Sequence, residues 1–229
     1  MMHSGSTTRS HAIAPVAALA ALLGGAVVMV VLHLLPSSAD VDPVRRTISE
    51  YAHGPGKALF DLSVLLVALG SAVVFALPAA RGQVRAVSAC TAFGALWTLG
   101  LVAAVVFRKT DWSVGPSVEG AIHRYASMVA FVCLPLAVWS AANAVFGPSS
   151  RLRAAARILS VASLAWLVVI VGAVLVMLTG GEPWWRSIPL GLVERLLAAT
   201  EVTAVLSLVP GLLRAPDRGP DSAATLVRY

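Results

Sequence analysis

Charge is scarce in this sequence. Of its 229 residues only 12% are Asp, Glu, Lys or Arg and 58% are hydrophobic, against about 25% and roughly 45–50% in soluble proteins. So few charges cannot coat a soluble globule of this size, and the mean hydropathy of +0.84 says the same. Lysine is scarcer still: Lys57 and Lys109 are the only two among seventeen basic residues. With so much Ala and Val, that preference for Arg suggests GC-rich, bacterial coding. Cysteine is limited to Cys90 and Cys133. Each lies inside an apolar run, where a thiol is a small hydrophobe, so neither a disulfide nor a redox role is expected. No Gly-rich phosphate loop, dinucleotide fingerprint, kinase pattern or HExxH helix occurs, and no cofactor is implied. The net charge of +6 does not indicate nucleic-acid binding, because the basic residues are scattered between long apolar runs.

Those runs are the main content of the chain. Six of them qualify as membrane spans: residues 13–35, 58–80, 86–107, 121–146, 158–179 and 188–209. A span needs about 20 mostly apolar residues at a 1.5 Å rise. Each run ends at Pro, Gly or charge: Pro36, Arg81–Gly82, Arg108–Lys109, Gly147–Pro148, Gly180–Gly181 and Pro210–Gly211. In hydrocarbon every backbone N–H and C=O must be paired internally, so the runs are read as helices. The expected fold is all-α: a polytopic six-transmembrane-helix bundle over residues 13–211, with short connections making neighbours antiparallel. Residues 1–12 form an expected cytoplasmic N-terminus and residues 212–229 an expected cytoplasmic, disordered tail. The first run exceeds the roughly 7–15 residues of a signal h-region and is read as retained. On the side of the termini lie nine basic residues (Arg9, Arg81, Arg85, Arg151, Arg153, Arg157, Arg214, Arg218 and Arg228), against six in the other loops. The positive-inside rule therefore places both termini in the cytoplasm of a cell membrane. Pro135 should kink the fourth span.

The few remaining polar residues gather on the other, outer side. The first loop, residues 36–57, is the most polar stretch of the chain, and the even-numbered spans begin there with ionisable groups. These are Asp61 in the second, Glu119, His123 and Arg124 in the fourth, and Glu194 with Arg195 in the sixth. Glu119, His123 and Ser127 are spaced i, i+4, i+8 and share one helical stripe. Asp61, His123 and Arg124 can equally sit at headgroup level, since Arg near a helix end snorkels. Glu201 cannot. It lies mid-span, where an acid costs at least about 2.5 kcal/mol on insertion scales, so it is read as protonated or paired, an intramembrane proton or hydrogen-bond site. Glu194 lies two turns before it on the same face. A zinc site drawn from His33, His53, His123 and Asp61 would need one ligand from each of several segments, with no ligand spacing to support it, so no metal is expected. Ser49 beside Glu50, with His53 near, could suggest a nucleophile and base, but Thr47-x-x-Glu50 fits a capping box.

The run DPVRRTISEYAHGPGKALFDLSVLLVALGSA resembles the first-loop signature of the bacterial membrane family called domain of unknown function 998. In that family a D-P-x-R-x-T-I-S-E segment leads into the second of about six spans. His123 at the start of the fourth span and Glu194–Arg195 at the start of the sixth are similar to its later elements. Carried over position by position, the motif falls on Asp42, Pro43, Arg45, Ser49, Glu50, Asp61, His123, Glu194 and Arg195. His53 stands where the resemblance implies a small residue. A fainter similarity links the I-S-E…G-P…F stretch to Frag1/DRAM-type membrane proteins. The resemblance implies the six-span fold and names no activity.

Paired charges from the first loop and the helix starts would make either a rigid polar lid or a pocket for a polar head group. Arg45 or Arg46 could meet Glu194, and Glu50 could meet Arg124 or Arg195. Three readings follow. The first is a protein that binds or transports a small polar molecule or lipid head group at an outer vestibule. The second is a non-catalytic scaffold or assembly subunit. The third is an intramembrane enzyme acting on a lipid or envelope precursor, with His123 and Glu50 or Glu194 as acid and base.

Overall fold

The computed structural model of the protein describes residues 5–214 and is helical throughout its ordered elements. In chain order these are α1 (Gly5–Leu34), two 3-10 turns (Pro36–Ser38 and Ile48–His53), α2 (Lys57–Ala80), α3 (Ala89–Val106), α4 (Val118–Val145), α5 (Arg151–Leu178), the single turn α6 (Trp184–Ser187) and α7 (Leu190–Arg214). Six helices are long and apolar enough to cross a membrane, and they match the six expected runs. An even number of crossings returns the chain to the face where it began. We call that the terminal face, and the opposite one, bearing the first loop, the cap face.

The helix ends follow local chemistry. Ser88 caps α3 reciprocally with Thr91, and Ser117 caps α4 through the amide of Gly120, supplying oxygen to orphan N–H groups. At their C-termini α2 and α5 are closed by Gly82 (φ 64°) and Gly180 (φ 92°). The following amides, Gln83 N–H to Pro78 C=O at 2.8 Å and Gly181 N–H to Val176 C=O at 3.0 Å, complete a left-handed closure in which a Cβ would be strained.

The boundaries depart from expectation most at three ends. α7 runs through Pro210 to Arg214, since a proline near a membrane helix end costs one backbone bond that neighbours can offset. α5 begins at Arg151, so Arg151, Arg153 and Arg157 are helical and not loop residues. α1 starts at Gly5, inside the segment expected as a terminal extension. Pro135 is accommodated within a continuous, buried stretch of α4. Residues 1–4, and residues 215–229 with most of the expected tail, lie outside the described residues.

The bundle is organised around α7, which packs against α1, α2, α4 and α5, while α3 packs on α2 and α4. One apolar core joins Ala18, Leu22, Val74, Trp97, Leu134, Val205 and Leu208, among others. Many large apolar side chains point outward, such as Val27, Leu69, Leu99 and Val168. In water such a surface would aggregate. Facing acyl chains it is the expected exterior, and the protein is a multi-pass membrane protein.

Candidate functional site

The first loop folds back over the cap-face end of α7, and Arg195 ties it down. The carbonyls of Pro43 and Arg46 accept from its Nη1 at 2.9 and 2.7 Å, as does Gly191 one turn back at 3.0 Å. Its Nε donates to His33 Nε2 at 2.7 Å, and Nη2 reaches the Tyr51 hydroxyl at 3.4 Å. His33 in turn donates from Nδ1 to the Met29 carbonyl at 2.7 Å. One imidazole can do both only as the neutral Nδ1–H tautomer. The His33 and Tyr51 rings meet edge to face at 5.1 Å, and Tyr51 is buried with Leu32 and Phe60 in a small apolar cluster under the loop. A single guanidinium thus joins α1, the first loop and α7.

Close approach makes this possible. A Cβ on Gly191 would lie 2.8 Å from the Pro43 carbonyl oxygen and closer still to that of Arg46, so only glycine lets the loop backbone rest on α7. Leu192 N–H then donates to the Val44 carbonyl at 3.1 Å, and Ile48 N–H donates to Glu194 Oε2 at 2.8 Å. Glu194 therefore binds backbone and neither of the arginines expected for it. Glu50 likewise meets neither Arg124 nor Arg195. It pairs with Lys109 at 2.6 Å and, at 4.0 Å, with Arg46. The expected capping box is not formed: Thr47 makes no side-chain cap bond to its turn. Its hydroxyl accepts from Lys109 Nζ at 2.5 Å and lies 3.2 Å from that of Ser49.

The other motif residues are dispersed. Asp42 closes a turn by accepting from the Val44 amide at 2.8 Å. Arg45 donates to the Arg186 carbonyl at 3.2 Å, pinning the loop before α7. Asp61 pairs with Lys57 one turn away at 2.5 Å. His123 is buried, its Nδ1 shared between the Ala104 and Phe107 carbonyls at 2.9 and 3.1 Å, which fastens the end of α3 to α4. Arg124 and Glu119 are exposed. Ser49 touches no base, and no group of three His, Cys, Asp or Glu able to hold a metal occurs among the described residues. Outside the spans, hydrogen bonds from the amide and hydroxyl of Ser113 hold the Asp111 carboxyl below its ordinary range, because they favour the charged form.

Lys109, Tyr51 and Gly191 escaped sequence reasoning. Lys109 reads as one more loop charge, and Gly191 as one glycine in an apolar helix. The only available hint was rarity, one of two lysines.

Below the cap, Glu201 lies on the same face of α7 as Leu197, Ala204, Val205 and Leu208. It is fully buried, and neither carboxyl oxygen has a hydrogen-bond partner among the described residues. It lies eleven residues below the cap-face end of a 25-residue helix, hence about 16 Å down at 1.5 Å per residue.

The sequence pattern of the family described as "Protein of unknown function (DUF998)" matches residues 11–209, and the chain belongs to that family. No curated protein and no solved structure matches it.

Proposed function

We propose that this member of the family binds or transports a small polar molecule or lipid head group, with the first loop as a cap over α7 and Glu201 as the interior proton or hydrogen-bond site. One observation carries the reading: a fully buried carboxyl with two unpartnered oxygens on the helix around which the bundle is built. Buried polar groups are nearly always satisfied, and an intramembrane acid without a structural partner is retained against its cost for what it binds or carries. In this reading the cap face is extracytoplasmic and both termini are cytoplasmic, which the Arg excess on the terminal face supports.

A second reading, a non-catalytic scaffold, is favoured by the saturation of Arg195, whose partners are all parts of the same chain. An enzyme finds less support, since His123 spends its Nδ1 on two carbonyls and Ser49 touches no base.

Infrared spectroscopy of the reconstituted protein tests the first reading. Wild type should show the carbonyl stretch of a protonated carboxyl, shifting in heavy water and absent from Glu201→Gln. Proteoliposomes loaded with a pH-sensitive dye and given a potassium diffusion potential should acidify faster with wild type than with Glu201→Gln. Equal flux from both proteins, each folded by circular dichroism, would remove the proton role. A Glu201→Gln protein more thermostable than wild type yet unchanged in copurifying lipid or small molecules would favour the scaffold.

A further inference from the structure

On the terminal face, the hairpin of α4 and α5 holds a second polar cluster outside the cap. Trp139 and Asn143 are one turn apart near the end of α4, and Arg153 and Arg157 are one turn apart at the start of α5. Asn143 Oδ1 accepts from both arginines, from Arg153 Nε at 3.1 Å and from Arg157 Nη2 at 2.6 Å. The Arg157 guanidinium lies over the Trp139 ring, 4.6 Å from its centre. Trp139 and Arg157 each sit six residues inside their helices, about 9 Å from the ends at 1.5 Å per residue, the depth of an interfacial belt.

Two cations are thus gathered on one neutral oxygen. Their other N–H groups have no acceptor among the described residues, and Arg157 Nε is buried without a partner. Among the described residues the neighbouring segments add positive charge and no negative. Arg151 stands at the first position of α5 and Arg153 in its first turn, no acid occupies that turn and Ser150 supplies no side-chain cap, so two arginines sit at the positive end of the helix dipole and Arg157 follows one turn further in. No Asp or Glu occurs in residues 81–88 or 143–157, and the nearest carboxylates of this face in sequence, Asp217 and Asp221, lie outside the described residues. Like charges held together in this way call for an anion, and planar guanidinium groups match the oxygens of a phosphate.

We propose that Arg153 and Arg157, positioned by Asn143 and Trp139, bind the phosphate of an anionic phospholipid head group. The site is separate from the cap and from Glu201, and it stands or falls independently of the function proposed above. Depth favours a lipid over a soluble anion: α5 has 28 residues, about 42 Å at 1.5 Å per residue, so a hydrocarbon core of about 30 Å centred on it would begin near Arg157, and basic pockets between membrane helices recognise headgroups.

The test is the lipid-dependent rise in thermal stability of the full-length protein in detergent, with phosphatidylglycerol, phosphatidylcholine or inorganic phosphate added. Phosphatidylglycerol should stabilise the wild type, and phosphatidylcholine much less. Arg153→Gln/Arg157→Gln should weaken the apparent phosphatidylglycerol affinity by roughly fivefold per arginine. Arg151→Gln removes one charge from the same helix end, as either single variant does, without touching Asn143, and should stay near wild type. If Arg151→Gln loses as much affinity as Arg153→Gln or Arg157→Gln alone, diffuse charge explains the effect and the built site is refuted. Saturation by inorganic phosphate at equal concentration would refute the lipid assignment. Asp217→Asn/Asp221→Asn should retain wild-type stability without lipid; destabilisation matching that of Asn143→Ala would show that the tail supplies the anion and overturn the proposal.

Discussion

Replacing Arg195 by Gln should release the cap while leaving the bundle intact. Arg195 makes two bonds to first-loop carbonyls, at 2.9 and 2.7 Å, and one to His33 at 2.7 Å. Bonds from a charged donor contribute about 1.5–3 kcal/mol net. Pro43 and Arg46 are exposed, so water can replace the lost donor at their carbonyls and the low end applies. Two loop bonds near 1.5 kcal/mol each then put the loss at about 3 kcal/mol, roughly a hundredfold in the opening equilibrium of the loop. Hydrogen–deuterium exchange in nanodiscs reads this directly. The amides of Ile48 and Leu192, bonded to Glu194 and Val44, should exchange roughly a hundredfold faster, with the amides in the middle of α2 and α4 unchanged. Arg195→Lys keeps the charge but can point at only one or two of these acceptors, so it should fall between. Unchanged exchange over residues 41–51 in Arg195→Gln would mean that apolar packing of Tyr51 and Ile48 holds the loop and that the guanidinium is incidental.

Gly191→Ala should free the same amides without any change of charge. The new methyl meets two backbone carbonyls that cannot rotate away, a cost of about 1–3 kcal/mol, read by the same exchange experiment. Lys109→Met should lower thermal stability, because it leaves Glu50 and Thr47 half-buried without their main partner. Adding Glu50→Gln should restore part of the loss, about 1 kcal/mol or more, in a double-mutant cycle. Asp111 should titrate by NMR below its ordinary 3.8, and Ser113→Ala should return it toward that value. Its folded state is favoured by the charged form, so its contribution is present above the ordinary carboxylate range and is lost as pH falls through the depressed value.

The spans were legible because the bilayer imposes one rule, internal pairing of every backbone group, and a long apolar run has one way to obey it. Their ends were less so. Proline and arginine mark boundaries in water, yet α7 passes Pro210 and α5 begins at Arg151, because a membrane helix extends through the headgroups where Arg is stable. The polar residues of the cap were legible as a group but not as partners. Charge arithmetic pairs Arg with Glu, whereas Arg195 and Glu194 bind mainly carbonyls and an amide, and backbone atoms carry no sequence signal. Gly191 shows the same limit from the other side: its role is the space it leaves for Pro43 and Arg46, which no pattern along α7 records.

Glu194 and Glu201 set the two readings of the protein against each other within one helix face. They are seven residues apart with buried Leu197 between them, and a structural account serves only the first. Glu194 is satisfied by an amide that the cap would otherwise leave unpaired, so removing it exposes a donor and loosens the loop. Glu201 satisfies nothing. A Gln or Leu there would fit the same space at less desolvation cost, and Leu would extend the stripe formed by Leu197, Val205 and Leu208. A rigid bundle alone gives such an acid no task, which is the argument for the proton or hydrogen-bond role proposed for it. Arg195 holds the cap through exposed bonds, whereas Glu201 is enclosed by the apolar packing of α7 itself, with Leu197 buried between them.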